Sequence, residues 1–264
     1  MKKIVTVGLL ALLMVVLFVP VMAQDEVRLQ DLRVGLWPEF DEAALLVIYW
    51  GEVAPDVTFP ATVSLRIPAA VDAPHVVAAQ VDEEGSVDEV TYENTVDGEW
   101  RTITFETNGP HFQFEYYDTL NKDGSARTTN YVWPGDYAVD QLSVELQQPP
   151  HSDAMTTTPA LANTQVNAND NLIYHGGQFG PLAVGETLPL AIEYTRDTDE
   201  LTVALLSAMQ PQSEPVNSGP SAPPAVASGA GGTDIILLVV VAVIFFLLGA
   251  AAMRVAINIQ TLSK

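Results

Sequence analysis

From Gln24 to Gln210 apolar residues recur at every second position, in short runs broken by turn-forming residues. Val63, Leu65 and Ile67 alternate with Ser64 and Arg66, and Ile103 and Phe105 with Thr102, Thr104 and Glu106. Phe112, Phe114 and Tyr116 alternate with His111, Gln113 and Glu115; Leu142, Val144 and Leu146 alternate with Ser143, Glu145 and Gln147. Successive side chains on a strand point to opposite faces, so this pattern predicts strands with one core face and one polar face, as in antiparallel sheets. Asp97-Gly98 and Asp123-Gly124 supply residues that accept positive φ and predict turns between such runs. No stretch in this region shows a sustained helical period. The expected class is an all-β ectodomain of one or two antiparallel β-sandwich modules, immunoglobulin-like or fibronectin-like in size.

A weak internal echo favours two modules. Ile48-Tyr49-Trp50-Gly51-Glu52 matches Tyr131 to Asp136, and Val63 to Pro68 matches Leu142 to Gln147. Val90-Thr91-Tyr92 then answers Leu172-Ile173-Tyr174, and Phe114 to Asp118 answers Ile192 to Asp197. Four blocks in one order, at offsets between 78 and 83 residues, predict modules at 24–120 and 121–210. A single larger sandwich is the competing expectation, because any two sheets share Val, Tyr and Glu alternation.

Two continuous apolar runs break the alternation. Residues 1–23 read as a signal peptide: Lys2 and Lys3, an apolar stretch from Ile4 to Val19, then Pro20 and the small residues Val21 and Ala23 at the positions a signal peptidase inspects. Ile235 to Met253 carries no charge over 19 residues, long enough for a helix to span a bilayer with its backbone satisfied internally. Asp234 precedes it and Arg254 follows, which places the 254–264 tail in the cytoplasm and the ectodomain outside. Between ectodomain and span, residues 211–233 hold five prolines and four glycines with almost no large apolar side chain, a composition that stays extended. That segment reads as a stalk, and 234–253 as a single transmembrane helix.

Composition narrows the function. The chain has 264 residues, 33 acids against 11 bases, a formal charge of −22 and no cysteine. Without cysteine there is no disulfide framework, thiolate metal site or cysteine nucleophile. The acidic balance excludes nucleic acid as a partner, since phosphates need clustered Lys and Arg. Hydrolase elbows, zinc-helix patterns and phosphate-binding glycine loops are absent.

Candidate binding residues lie on one strand. His111, Gln113 and Glu115 form a polar row that suits a sugar or simply meets water, and alternation must send one ring of the Tyr116-Tyr117 pair outward. Trp50 and Trp133, at equivalent places in the echo, are assigned to packing. The four histidines, His75, His111, His151 and His175, are too scattered for a ligand set. No cofactor is expected except calcium, for which the oxygen-rich stretches are Asp118 to Asp123, Asn167 to Asn171 and Asp197 to Glu200. Turn formation by Asn and Asp accounts for all three equally well.

The resulting expectation is a single-pass protein of a bacterial-type cell membrane with a non-enzymatic binding, adhesion or structural role towards a protein or glycan outside the cell. The alternatives are an accessory subunit of a membrane complex and a carboxylate-dependent hydrolase of envelope glycan. The signal-peptide reading predicts that the protein purified from its native membrane begins at Gln24; N-terminal sequencing that finds Met1 would reject it.

Overall fold

The alternating runs fold as strands that return on one another to share a core. The computed structural model describes residues 27–209; the leader, stalk, apolar C-terminal run and tail expected from sequence lie outside the described residues. Among the described residues no helix is long and apolar enough to cross a membrane.

The first half contributes β1 (Leu29–Pro38), β2 (Leu45–Val53), β3 (Ala61–Pro68), β4 (Val76–Gln80), β5 (Val87–Glu89), β6 (Tyr92–Asp97), β7 (Trp100–Thr107) and β8 (His111–Asp118). The second contributes β9 (Asn121–Asp123), β10 (Ala126–Trp133), β11 (Val139–Gln148), β12 (Ser152–Thr158), β13 (Asn163–Val166), β14 (Ile173–Gln178) and β15 (Leu188–Arg196), followed by α1 (Thr202–Met209). The Asp97-Gly98 and Asp123-Gly124 turns close the β6–β7 and β9–β10 hairpins, and both glycines have φ of 60°.

Strand order repeats between the halves. The first contains the order β1-β2-β8-β4 and the second β9-β10-β15-β12; the first also contains β3-β7-β6 and the second β11-β14-β13. The two copies are then joined at one seam. β11 pairs with β1 in parallel, from Leu29 opposite Val139 to Leu36 opposite Leu146. This fuses one group from each half into an eight-stranded sheet, β13-β14-β11-β1-β2-β8-β4-β5, beside a four-stranded and a three-stranded sheet. Three of the four echoed sequence blocks fall on counterpart strands, namely β2 with β10, β3 with β11, and β8 with β15. The fourth does not, because Val90–Tyr92 enters β6 whereas Leu172–Tyr174 enters β14.

One core serves all three sheets. Tyr49 on β2 is its hub: its ring lies 5.9 Å from Phe114 and 6.1 Å from Tyr116 on β8, and 6.4 Å from Tyr131 and 5.8 Å from Trp133 on β10. The Tyr131 and Tyr49 hydroxyls meet at 3.1 Å inside this cluster, so each polar tip is satisfied by the other half of the chain. On the three-stranded side Phe105 of β7 meets Phe112 of β8 at 5.8 Å, edge to face. Val34, Leu36, Leu142, Val144, Val63, Leu65, Leu190 and Ile192 belong to the same buried cluster.

The loop between β10 and β11 also crosses between halves. It carries Asp136 and Tyr137 to the open edge of β3, where the Ser64 N–H donates to the Tyr137 hydroxyl (2.6 Å) and the Arg66 N–H to Asp136 Oδ2 (2.9 Å). Burial lifts the Asp136 carboxyl above the usual range, and the bonds and charge of Arg66 offset part of that lift.

The halves share one sheet and one buried cluster. Two features differ from the expectation drawn from alternation. The β1–β11 seam is parallel, so the sheets are not purely antiparallel. A short helix, α1, closes the described residues; it is too brief for periodicity to reveal, and it is anchored where the Thr202 and Val203 N–H groups donate to the Glu39 and Phe40 carbonyls at 3.0 and 2.9 Å.

A shared core makes the halves unfold together. Trp133→Ala, which empties a fully buried site in the second half, is expected to cost about 3–5 kcal/mol and to lower a single calorimetric transition without splitting it. Two separate transitions would show that each half carries its own core.

Candidate functional site

The strand that carries the sequence candidates, β8, lies inside the eight-stranded sheet between β2 and β4. Its even positions, Phe112, Phe114 and Tyr116, enter the core, so Tyr116 is packed against Tyr49 and faces away from any ligand. Its odd positions share the outer face. His111 is exposed and Tyr117 half-buried, which makes Tyr117 the outward ring of the pair.

Gln113 and Glu115 occupy the expected face but are buried, at 9% and 3% exposure, instead of meeting water. The Gln113 amide donates to Glu115 Oε1, and the His75 N–H donates to the Glu115 carbonyl at 2.7 Å. Burial raises the Glu115 carboxyl above its ordinary value of 4.5; the Gln113 bond and His75 pull it down, and the charge of Asp41 pushes it up. Beside it the Tyr117 hydroxyl donates to Asp41 Oδ2 at 3.0 Å, and the Tyr117 ring meets His75 edge-on at 5.1 Å. Burial and the Asp41 charge both hold the Tyr117 phenol in its neutral form.

The same face continues across β2 and β1. Trp50 and Arg33 are direct cross-strand partners, and the Arg33 guanidinium lies 4.7 Å from the centre of the indole. Gly35 makes room for this stack: a Cβ there would stand 2.9 Å from the Trp50 ring. Trp37 packs beside it, 6.3 Å from Trp50 and 4.9 Å from Phe40. Trp50 is therefore a half-buried residue of the outer face and not a core residue equivalent to Trp133. Arg33 Nε, Trp37 Nε1 and Trp50 Nε1 are buried donors with no partner among the described residues. Burial weakens the hold of Arg33 on its proton, while Glu145 and Asp31 strengthen it. Asp31, Glu52 and His111 border the stack towards one end of the sheet, in register across β1, β2 and β8.

A second polar constellation gave no signal in the sequence, because its members are distant in the chain. Glu39 follows β1 with φ of 49° and buries its carboxylate between two inward-facing arginines, Arg127 of β10 and Arg196 of β15. Arg127 Nε donates to Oε1 at 3.2 Å, the Tyr194 hydroxyl to Oε2 at 2.7 Å, and Arg196 Nη1 lies 3.3 Å from Oε2. Arg127 Nη2 also reaches the exposed Asp199 (2.9 Å), which engages Lys122 as well. This cluster fixes the start of α1 and the chain exit. Three charged groups, Glu39, Arg127 and Arg196, leave water here at a cost that only good geometry offsets, so the network sets position more than stability.

The three oxygen-rich stretches weighed for calcium are used locally. Asp118 Oδ1 caps the Thr119 N–H, Asn167 and Asp170 accept from the Asn169 and Leu172 N–H groups, and Asp199 is engaged by cations. Among the described residues no three His, Asp or Glu side chains converge as a metal site.

No protein-family model and no curated protein matches the chain. Among solved structures, the chain is similar to a provisionally named protease from Parabacteroides distasonis ATCC 8503, at 10% identity and a TM-score of 0.38, over 66% of this chain and 41% of that one.

Glu115 provides a pH test of the outer-face geometry. A carboxyl whose folded pKa is raised favours the protonated folded state, so its contribution is full below the unfolded value and is lost as pH rises through the folded one. Glu115→Gln is expected to raise the melting temperature at pH 7 and to flatten its dependence between 4.5 and neutrality. An unchanged pH profile would mean that the carboxyl is solvated.

Proposed function

We propose that the chain is a membrane-tethered, extracytoplasmic β-sandwich protein that binds a partner in a bacterial-type envelope and does not transform it. In this reading the halves are two copies of a four-plus-three-strand unit of immunoglobulin-like size, displayed on the Pro-rich stalk above the span at 234–253. The observation that carries the reading is the Arg33–Trp50 stack on the outer face of the eight-stranded sheet, bordered by Asp31, Glu52 and His111.

Stacked indole and guanidinium surfaces with charged neighbours favour recognition of a planar or polyhydroxylated surface, a glycan or a protein side-chain cluster. The buried acid of this face, Glu115, is bonded to Gln113 and shielded from solvent, an arrangement suited to holding the sheet in shape and not to proton transfer with a substrate.

The experiment is site-specific photocrosslinking of the full-length protein in its native membrane, with the probe at Glu52 on the outer face or at the exposed Glu193 of β15 as control. One protein or glycan adduct from position 52 that is lost in Trp50→Ala is the expected result. Equal adducts from both positions, or an adduct indifferent to Trp50, would reject the outer face as the binding surface.

A further inference from the structure

The two edges of the three-stranded sheet are treated differently. At β3 the outward N–H groups of Ser64 and Arg66 are bonded by Tyr137 and Asp136. Those bonds fix the parity of the whole sheet. Since Ser64 and Arg66 point out, Val63, Leu65 and Ile67 bond β7 through their partners Phe105, Ile103 and Arg101. The alternate residues of β7, Thr104, Thr102 and Trp100, then bond Glu93, Thr95 and Asp97 of β6. The N–H and C=O groups of Tyr92, Asn94 and Val96 are left pointing off the sheet, and none has a main-chain partner among the described residues.

This open edge is accessible, and charge is the one common safeguard it carries. All six residues of β6 are exposed, with Tyr92 at 40% and Val96 at 55%. The strand carries no proline or lysine, its pairing with β7 runs without a bulge, and nothing described covers it. Its own side chains carry negative charge only, with Arg101 of neighbouring β7 donating to Asn94 Oδ1 at 2.8 Å. Residues 82–99 contain eight acids and no base, and no Lys or Arg occurs between Arg66 and Arg101. Two copies of the chain pairing antiparallel about Thr95 would set Glu93 against Asp97 twice, so the charge opposes self-association and leaves the edge available to a cationic strand.

We propose that β6 is a docking edge for an extended, lysine- or arginine-bearing segment of a partner protein, which adds a fourth strand to the β3-β7-β6 sheet. Main-chain bonds to Tyr92, Asn94 and Val96 supply affinity. Glu93 and Asp97 select the charge of the incoming strand, and the Tyr92 and Val96 side chains select apolar residues on its other face. This edge belongs to a different sheet from the Arg33–Trp50 surface, and the inference stands independently of it.

The test uses the full-length protein in detergent and an eight-residue peptide alternating lysine with valine or tyrosine, beside the same peptide with glutamate in place of lysine. Fluorescence anisotropy measures binding, and amide hydrogen exchange locates it. Expected are saturable binding of the lysine peptide that weakens with salt, slowed exchange at residues 92–97, no binding of the glutamate peptide, and at least about tenfold weaker binding to E93K/D97K. Val96→Pro removes one outward N–H and leaves the β7 ladder intact, so it is expected to abolish binding with little change in melting temperature. No binding of the lysine peptide, equal binding to E93K/D97K, or protection appearing elsewhere on the acidic surface would each overturn the proposal.

Discussion

The parallel pairing of β1 with β11 is the constraint on which the architecture turns. Taken alone, the first half has a five-stranded group that ends in the short β5 and a three-stranded group, and the second a four-stranded and a three-stranded group. The seam joins one group from each half into one broad sheet beside two smaller ones, and the aromatic cluster around Tyr49 draws on both halves. Two exposed strand edges disappear with it. The pairing joins residues 110 positions apart, from Leu29 to Val139, so its closure entropy is recovered only when the core on both sides of it has formed. The crossing of Asp136 and Tyr137 to the edge of β3 locks the same junction from the other side.

Most of the strands were legible in the sequence, because a strand with one wet face has a period of two and the turns were marked by Asp-Gly pairs. Three of the four echoed blocks fall on strands at corresponding places in the strand order of the two halves. What could not be read was how the halves meet. Leu32, Val34 and Leu36 of β1 alternate as any strand does, and nothing in that pattern says whether the neighbour on one side will be parallel or will come from the other half. Alternation puts Gln113 and Glu115 on the outer face of β8 but cannot show that they are buried there, where Trp50 lies opposite Gln113, and Tyr117 and His75 lie beside the hydrogen-bonded pair. The echo pairs Trp50 with Trp133 as packing residues, whereas alternation within β2 puts Tyr49 inside and Trp50 on the outer face, packed against Arg33. The Glu39–Arg127–Arg196 network was invisible because inward-facing arginines at the end of a strand look like the polar start of a loop.

Charge and topology together divide the surface into regions of different use. Arg127, Arg196 and Lys122, three of the chain's 11 bases, gather around Glu39 and Asp199 near the chain exit. Arg33 is held on the outer face by Trp50, Glu145 and Asp31, and Arg66 is held on Asp136 at the β3 edge. With so many cations fixed in internal pairs, the eight acids of residues 82–99 are met by few bases, Arg101 of β7 being bonded to Asn94 of β6, and the field there favours cationic over anionic approach.

The unity of the described residues is measured most directly by native-state amide hydrogen exchange across the seam. If β1 and β11 are central strands of one sheet, their slowest amides exchange only through global unfolding, with the same free energy as the slowest amides of β2 and β10. If residues 121–196 instead open as a unit at lower free energy, with β11 losing protection while β1 keeps it, the seam is a contact between independent modules and the account given of the core is wrong.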